Sequence, residues 1–257
     1  MFIKHKTETT DQTTVITEQQ KSGLGWGPTA AIVVSILAYI TSQVVLIVPI
    51  FVVSAASHGQ DFEVLLNDSP WMQLVLTGVS AAGLLLVLWL FLKSRKLRFS
   101  RLGFARPKLS DFGWLGVATF VYFIILIITM SAASHIPGFN ADQAQDVGYG
   151  SVTGWQLVLA FMGLVILPPL AEEMLFRGFL YRGLATKWPK IIAALVTSFL
   201  FALVHFQWNV GLDVFILSLV LIALYEKTKN LWMCVALHAI KNFIAFLALF
   251  VFASMWS

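Results

Sequence analysis

The chain reads as all-α: a polytopic membrane bundle of about seven transmembrane helices, with an eighth left open. Three observations predict this. First, 58% of its 257 residues are hydrophobic and only 12% are charged, against about 25% charged in soluble domains. Second, several apolar runs reach the roughly 18 residues that mark a membrane span. Third, Lys and Arg fall in alternate loops, the positive-inside pattern. That pattern, and not nucleic-acid binding, accounts for the net charge of +4. The single cysteine, Cys234, excludes an intrachain disulfide framework and reads as a small packing residue.

Residues 1–25 are polar, without apolar periodicity, and read as a disordered cytoplasmic tail. The first helix spans roughly Thr29 to Ser54, too long for a signal-peptide core, although Ser54-Ala55-Ala56-Ser57 resembles a cleavage site. A loop with Asp61, Glu63 and Asp68 and no basic residue follows. The second helix runs about Trp71 to Leu92 and ends in a loop crowded with Lys93, Arg95, Lys96, Arg98, Arg101, Arg106 and Lys108. Such a loop belongs beside anionic lipid on the cytoplasmic side. The third helix spans about Phe112 to Ala133; the loop from His135 to Gly154 has no basic residue, and an eighth, re-entrant piece would fall within 134–154. The fourth helix begins near Trp155, is expected to kink at Pro168-Pro169, and continues to about Ala185. The fifth runs about Lys190 to Phe206, a short loop covers Gln207 to Asp213, the sixth runs about Leu212 to Tyr225, and the seventh about Leu231 to Phe252. With the N-terminus inside, the internal segments hold nearly all Lys and Arg and the three external loops hold none; only Arg177 and Lys241 fall within helices. This favours an N-in, C-out protein of a bacterial plasma membrane.

The chemistry concentrates in Ala171-Glu172-Glu173-Met174-Leu175-Phe176-Arg177-Gly178. Ionised groups inside an apolar segment are costly and usually mark a functional site. On a helix Glu173 and Arg177 are four apart and pair on one face, while Glu172 lies about 100° round and is free for another role. His205 lies near the end of the fifth helix, and His238 and Asn242 share a face of the seventh. At about 1.5 Å per residue from the cytoplasmic turns, Glu172 sits about 21 Å up, His205 about 22 Å, His238 about 14 Å and Asn242 about 20 Å. Convergence of three helices at one depth points to one buried site. A carboxylate among apolar neighbours suits the role of general base, and imidazole and carboxamide groups suit an oxyanion. Glu172, His205 and His238 also form a plausible zinc set with a fourth position for water, although the H-E-x-x-H spacing is absent.

The motifs E-E-x-x-x-R (Glu172 to Arg177), F-x-x-x-H (Phe201 to His205) and H-x-x-x-N (His238 to Asn242), in that order, resemble those of the CAAX protease and bacteriocin-processing (CPBP or Abi) family, which includes the type II CAAX prenyl endopeptidases. Phe176-Arg177-Gly178-Phe179-Leu180, Leu237-His238-Ala239 and Leu102-Gly103-Phe104 add to the likeness, which covers about 100–257, the expected catalytic core of a membrane domain over 26–257. The resemblance implies that Glu172 activates water with help from His205. It implies that His238 and Asn242 bind the carbonyl oxygen or orient the site, with Glu173, Arg177 and Phe201 supporting. It implies a peptide or membrane-protein substrate, no nucleic-acid partner, and leaves zinc open, since the family has been described both as metalloproteases and as glutamate-dependent proteases. It also admits a non-catalytic scaffold or bacteriocin self-immunity protein that keeps the fold. A transporter reading ranks lowest, since no inverted repeat is evident. Lys241, beside Asn242, is expected to reach an interface or pair with an acid. Oligomeric state is not legible.

Overall fold

The computed structural model describes residues 23–56, 69–140, 149 and 152–252. The polar tail up to residue 22, the loop with Asp61, Glu63 and Asp68, and most of the 134–154 loop that left room for an eighth helix lie outside the described residues. Among the described residues seven helices form the bundle, and all secondary structure is helical. We number them α1 (Pro28–Val44 and Ile47–Ala56), α2 (Pro70–Ser94), α3 (Leu109–Ala133), α4 (Gln156–Leu184), α5 (Lys190–Leu203), α6 (Trp208–Thr228) and α7 (Leu231–Phe252). Six are long and apolar enough to cross a membrane; α5 is the shorter one.

Local chemistry sets the boundaries. Pro49 has no N–H for the Val45 carbonyl, and α1 breaks over residues 45–46 just before it. Ser69 caps α2, its hydroxyl accepting from the Met72 N–H at 3.4 Å, with Pro70 at the first helical position. Asn230 caps α7 by accepting from the Trp232 N–H at 3.1 Å. The α5 helix stops at Leu203, three residues before the expected Phe206, because Phe206 takes a left-handed φ of 52°. The expected loop from Gln207 to Asp213 is mostly helix: α6 begins at Trp208, its start disguised by the weak helix formers Asn209 and Gly211. The α4 helix runs unbroken through Pro168-Pro169, but its turns widen to π geometry over Met162–Ile166 and Met174–Tyr181. Widening accommodates backbone groups left unpaired by the prolines.

The bundle is built around α6 and the second half of α4. Every residue from Met174 to Tyr181 is buried, and α6 is the most enclosed of the spans. The α1, α2 and α3 helices form an outer layer: α1 packs on α2, and α3 packs on α6. Their outward faces carry exposed Val33, Leu37, Phe51, Phe120, Ile127 and Ile128, an apolar exterior suited to lipid rather than water. Gly163 permits one close approach, since a Cβ there would fall 1.8 Å from the Tyr149 hydroxyl. The turns rich in Lys and Arg gather at one end. There the Trp26 indole donates to the Phe179 carbonyl at 3.0 Å, the Leu231 N–H donates to the Gly103 carbonyl at 2.9 Å, and Lys190 pairs with Glu226. The up-and-down order of the seven helices follows from this.

Candidate active site

The α4 and α7 helices bring the acidic pair and the second histidine together. Glu173 is fully buried and its Oε1 accepts twice, from Arg177 Nη1 at 2.8 Å and from His238 Nδ1 at 2.8 Å. An ionised carboxylate accepts only, so the proton on the His238 contact sits on Nδ1. That leaves Nε2 facing the other way, 3.9 Å from Glu172 Oε2. The result is an alternating chain, Arg177, Glu173, His238, Glu172. The first three members are buried, while the Glu172 side chain is 27% exposed. The 3.9 Å gap is too long for a direct hydrogen bond and is a separation that a bridging water can span. Sequence spacing anticipated the Glu173–Arg177 pair. It did not show that Glu173 also fixes the tautomer and direction of His238.

His205 stands in the turn after α5. Its Nδ1 donates to the Phe201 carbonyl at 2.8 Å, so in the neutral ring Nε2 carries the lone pair. Phe201 is the wall shared by both histidines: its ring meets His205 edge-on at 5.1 Å and His238 at 5.9 Å between centroids. On the same ring lies the Arg177 guanidinium, 4.4 Å from the centroid. Phe201 thus joins all three motifs through packing.

Asn242 is turned toward α4, where its Nδ2 donates to the Leu164 carbonyl at 2.9 Å. That carbonyl is an orphan of the local sequence. Its α-helical donor would be residue 168 and its π-helical donor residue 169, and both are proline. The amide of Asn242 replaces the missing N–H and keeps a second N–H for other use. One further side chain reaches this region. Tyr39 of α1 donates to the Val204 carbonyl at 3.3 Å, next to His205, and lies near enough to Glu172 to feel its charge. The depth count already applied to Glu172 would have found it, at about 17 Å from the start of α1. Lys241 of α7 pairs with Asp213 of α6 at 3.1 Å, and Tyr122 of α3 donates to the same carboxylate at 2.5 Å.

Among the described residues no group of three or more His, Cys, Asp or Glu side chains is placed to hold a metal ion; both histidines donate through Nδ1 to protein acceptors and keep Nε2 free. An apolar cavity of about 510 Å³ is lined by Ala202, Leu203, Phe206 and Gln207, which flank His205 in the sequence, together with Phe199 and Phe215.

Residues 153–244 match the Type II CAAX prenyl endopeptidase Rce1-like family. This stretch holds all three motifs. The UPF0177 protein YxdF of Lactococcus lactis subsp. lactis is 32% identical over 102 residues, which is 38% of this chain and 54% of that protein. The chain therefore spans about half the length of this curated relative. No solved structure matches the chain.

Proposed function

We propose, from the premise that residues 153–244 belong to the Rce1-like type II CAAX prenyl endopeptidase family, that this chain is an intramembrane endopeptidase cutting a peptide or membrane-protein segment. The observation that carries the reading is the facing pair Glu172 and His238, with the far side of His238 held by buried Glu173. Glu172 is the carboxylate left without a direct hydrogen bond and with access to water. It takes a proton from a water poised against His238, and the hydroxide attacks the peptide carbonyl carbon. Charge develops on the carbonyl oxygen. The second N–H of Asn242 donates to it, while His238, held through Nδ1 by Glu173, orients the attacking water through Nε2. Glu172 then returns the proton to the amine as the C–N bond breaks, giving a carboxylate and an amine. The apolar cavity lined by Leu203 and Phe206 takes a bulky apolar side chain next to the scissile bond.

The test is hydrolysis of a fluorogenic peptide library by the protein in proteoliposomes, with Glu172→Gln beside wild type. Glu172→Gln should lose at least about a hundredfold in rate. Hydrolysis should survive chelation, and mass spectrometry should find no stoichiometric zinc. An unchanged rate in Glu172→Gln would sink the peptidase reading and leave a binding scaffold in its place. A zinc lost together with activity in Glu172→Ala, His205→Ala, His238→Ala protein would replace the metal-free mechanism with a metalloprotease.

A further inference from the structure

At the basic end of the bundle, far from the acidic pair, the ends of α4 and α6 frame a second cavity. It measures about 290 Å³ and is lined by Tyr181, Arg182, Thr186, Tyr225, Glu226 and Lys229. Its charges do not balance. Glu226 is the one carboxylate, and it is already held by Lys190 and by Lys229, the latter at 2.8 Å. Arg182 has no carboxylate partner among the described residues. Its guanidinium donates to the Arg101 carbonyl and lies 6.0 Å from the Tyr225 ring centroid. Three cations thus surround one anion. A half-buried guanidinium bonded only to a neutral carbonyl keeps N–H groups for an anion, and its fork suits phosphate. A second observation points the same way. The Tyr181 hydroxyl lines this cavity beside the Glu226 carboxylate, is 1% exposed as a residue, and makes no hydrogen bond of ordinary geometry. The acceptor beside it, Glu226, is already held by two lysines, and buried donors are ordinarily satisfied.

The position decides which anion. The cavity opens where α4 and α6 end, level with the half-exposed indoles of Trp114 and Trp232 near the starts of α3 and α7. Trp belongs at the headgroup depth of a bilayer. We propose that this cavity binds a phosphate group, that of an anionic lipid headgroup, held by Arg182 with Tyr181 and Lys229. Bound there, the headgroup would tie the end of α4, and so the helix bearing the acidic pair, to the leaflet at the basic end.

The test uses the full chain in detergent and native mass spectrometry with phosphatidylglycerol or phosphatidylcholine. Wild type should retain phosphatidylglycerol preferentially. Arg182→Gln should weaken that retention about tenfold, whereas Lys187→Gln, which removes an equal charge from an exposed site outside the cavity, should not. Tyr181→Phe removes a hydroxyl that makes no hydrogen bond of ordinary geometry in the protein, so it should fold normally and still lose affinity. If Arg182→Gln does not fold, Tyr181→Phe carries the test. A thermal-shift arm with inorganic phosphate separates the sources. Stabilisation by both phosphate and phosphatidylglycerol assigns the phosphate group itself, and stabilisation by the lipid alone assigns the headgroup in its bilayer setting. Equal retention in all variants, or equal losses in Arg182→Gln and Lys187→Gln, would overturn the proposal.

Discussion

Glu173 takes two charge-assisted hydrogen bonds on one buried oxygen, while the neighbouring Glu172 keeps a side chain 27% exposed and no direct hydrogen bond. The two carboxylates should therefore fail differently. Glu173→Gln leaves Arg177 buried beside a neutral group and should destabilise the protein by about 3–5 kcal/mol, read as a lowered midpoint of thermal unfolding in detergent. Glu172→Gln should leave that midpoint nearly unchanged while removing hydrolysis. Equal shifts in the two variants would contradict the division of labour. Asn242→Leu should cost about 1–3 kcal/mol, because the Leu164 carbonyl again lacks a donor. At this scale the sequence showed the residue types and the Glu173–Arg177 spacing. The bond from Asn242 to Leu164 was hidden, because it joins two helices and depends on a π turn. Its cause was in plain view, since Pro168-Pro169 must orphan two carbonyls. Tyr39 escaped because a lone tyrosine on an apolar helix gives no motif.

The helices themselves explain how the site is held. Asp213, expected in a loop, is in α6, and this lets it meet Lys241 of α7 and Tyr122 of α3 inside the bundle. Lys241 and Asp213 are 18% and 17% exposed, so the pair is screened less than a surface pair and more than a fully enclosed one. Lys241→Met alone should destabilise by about 1–3 kcal/mol, below the cost for a fully buried pair because water reaches both groups. Lys241→Met with Asp213→Asn should recover most of that loss, and a double-mutant cycle on unfolding midpoints measures it. The cavity lined by Leu203 and Phe206 offers a second test at this scale. Leu203→Trp fills part of it and should raise KM for peptides with a bulky apolar residue at the cut while sparing those with alanine there. Helix existence and order were legible from apolar runs and charged turns. The early stop of α5 was not, because it rests on the left-handed conformation of Phe206, a residue type that seldom adopts one.

Across the whole molecule, the seven-helix order and the clustering of basic turns at one end agree with the alternation read from Lys and Arg. The positive-inside pattern predicts that this end is cytoplasmic, and thiol labelling tests it. Cys234 is fully buried and should contribute little background. In intact cells a membrane-impermeant maleimide should label Thr153→Cys and spare Lys187→Cys, with the reverse in inverted vesicles. Labelling of Lys187→Cys in intact cells would invert the topology.

The α5 helix has one more consequence. Its 14 residues give a rod of about 21 Å, short of the roughly 30 Å hydrocarbon core. The turn bearing His205 is consequently sunk below the far surface, and lipid beside α5 meets hydrophobic mismatch that it can relieve by thinning. A thinned rim shortens the path by which water and a partly unwound substrate reach Glu172. Turnover should then depend on acyl-chain length, fastest in bilayers whose thickness matches α5 and slower as the chains lengthen.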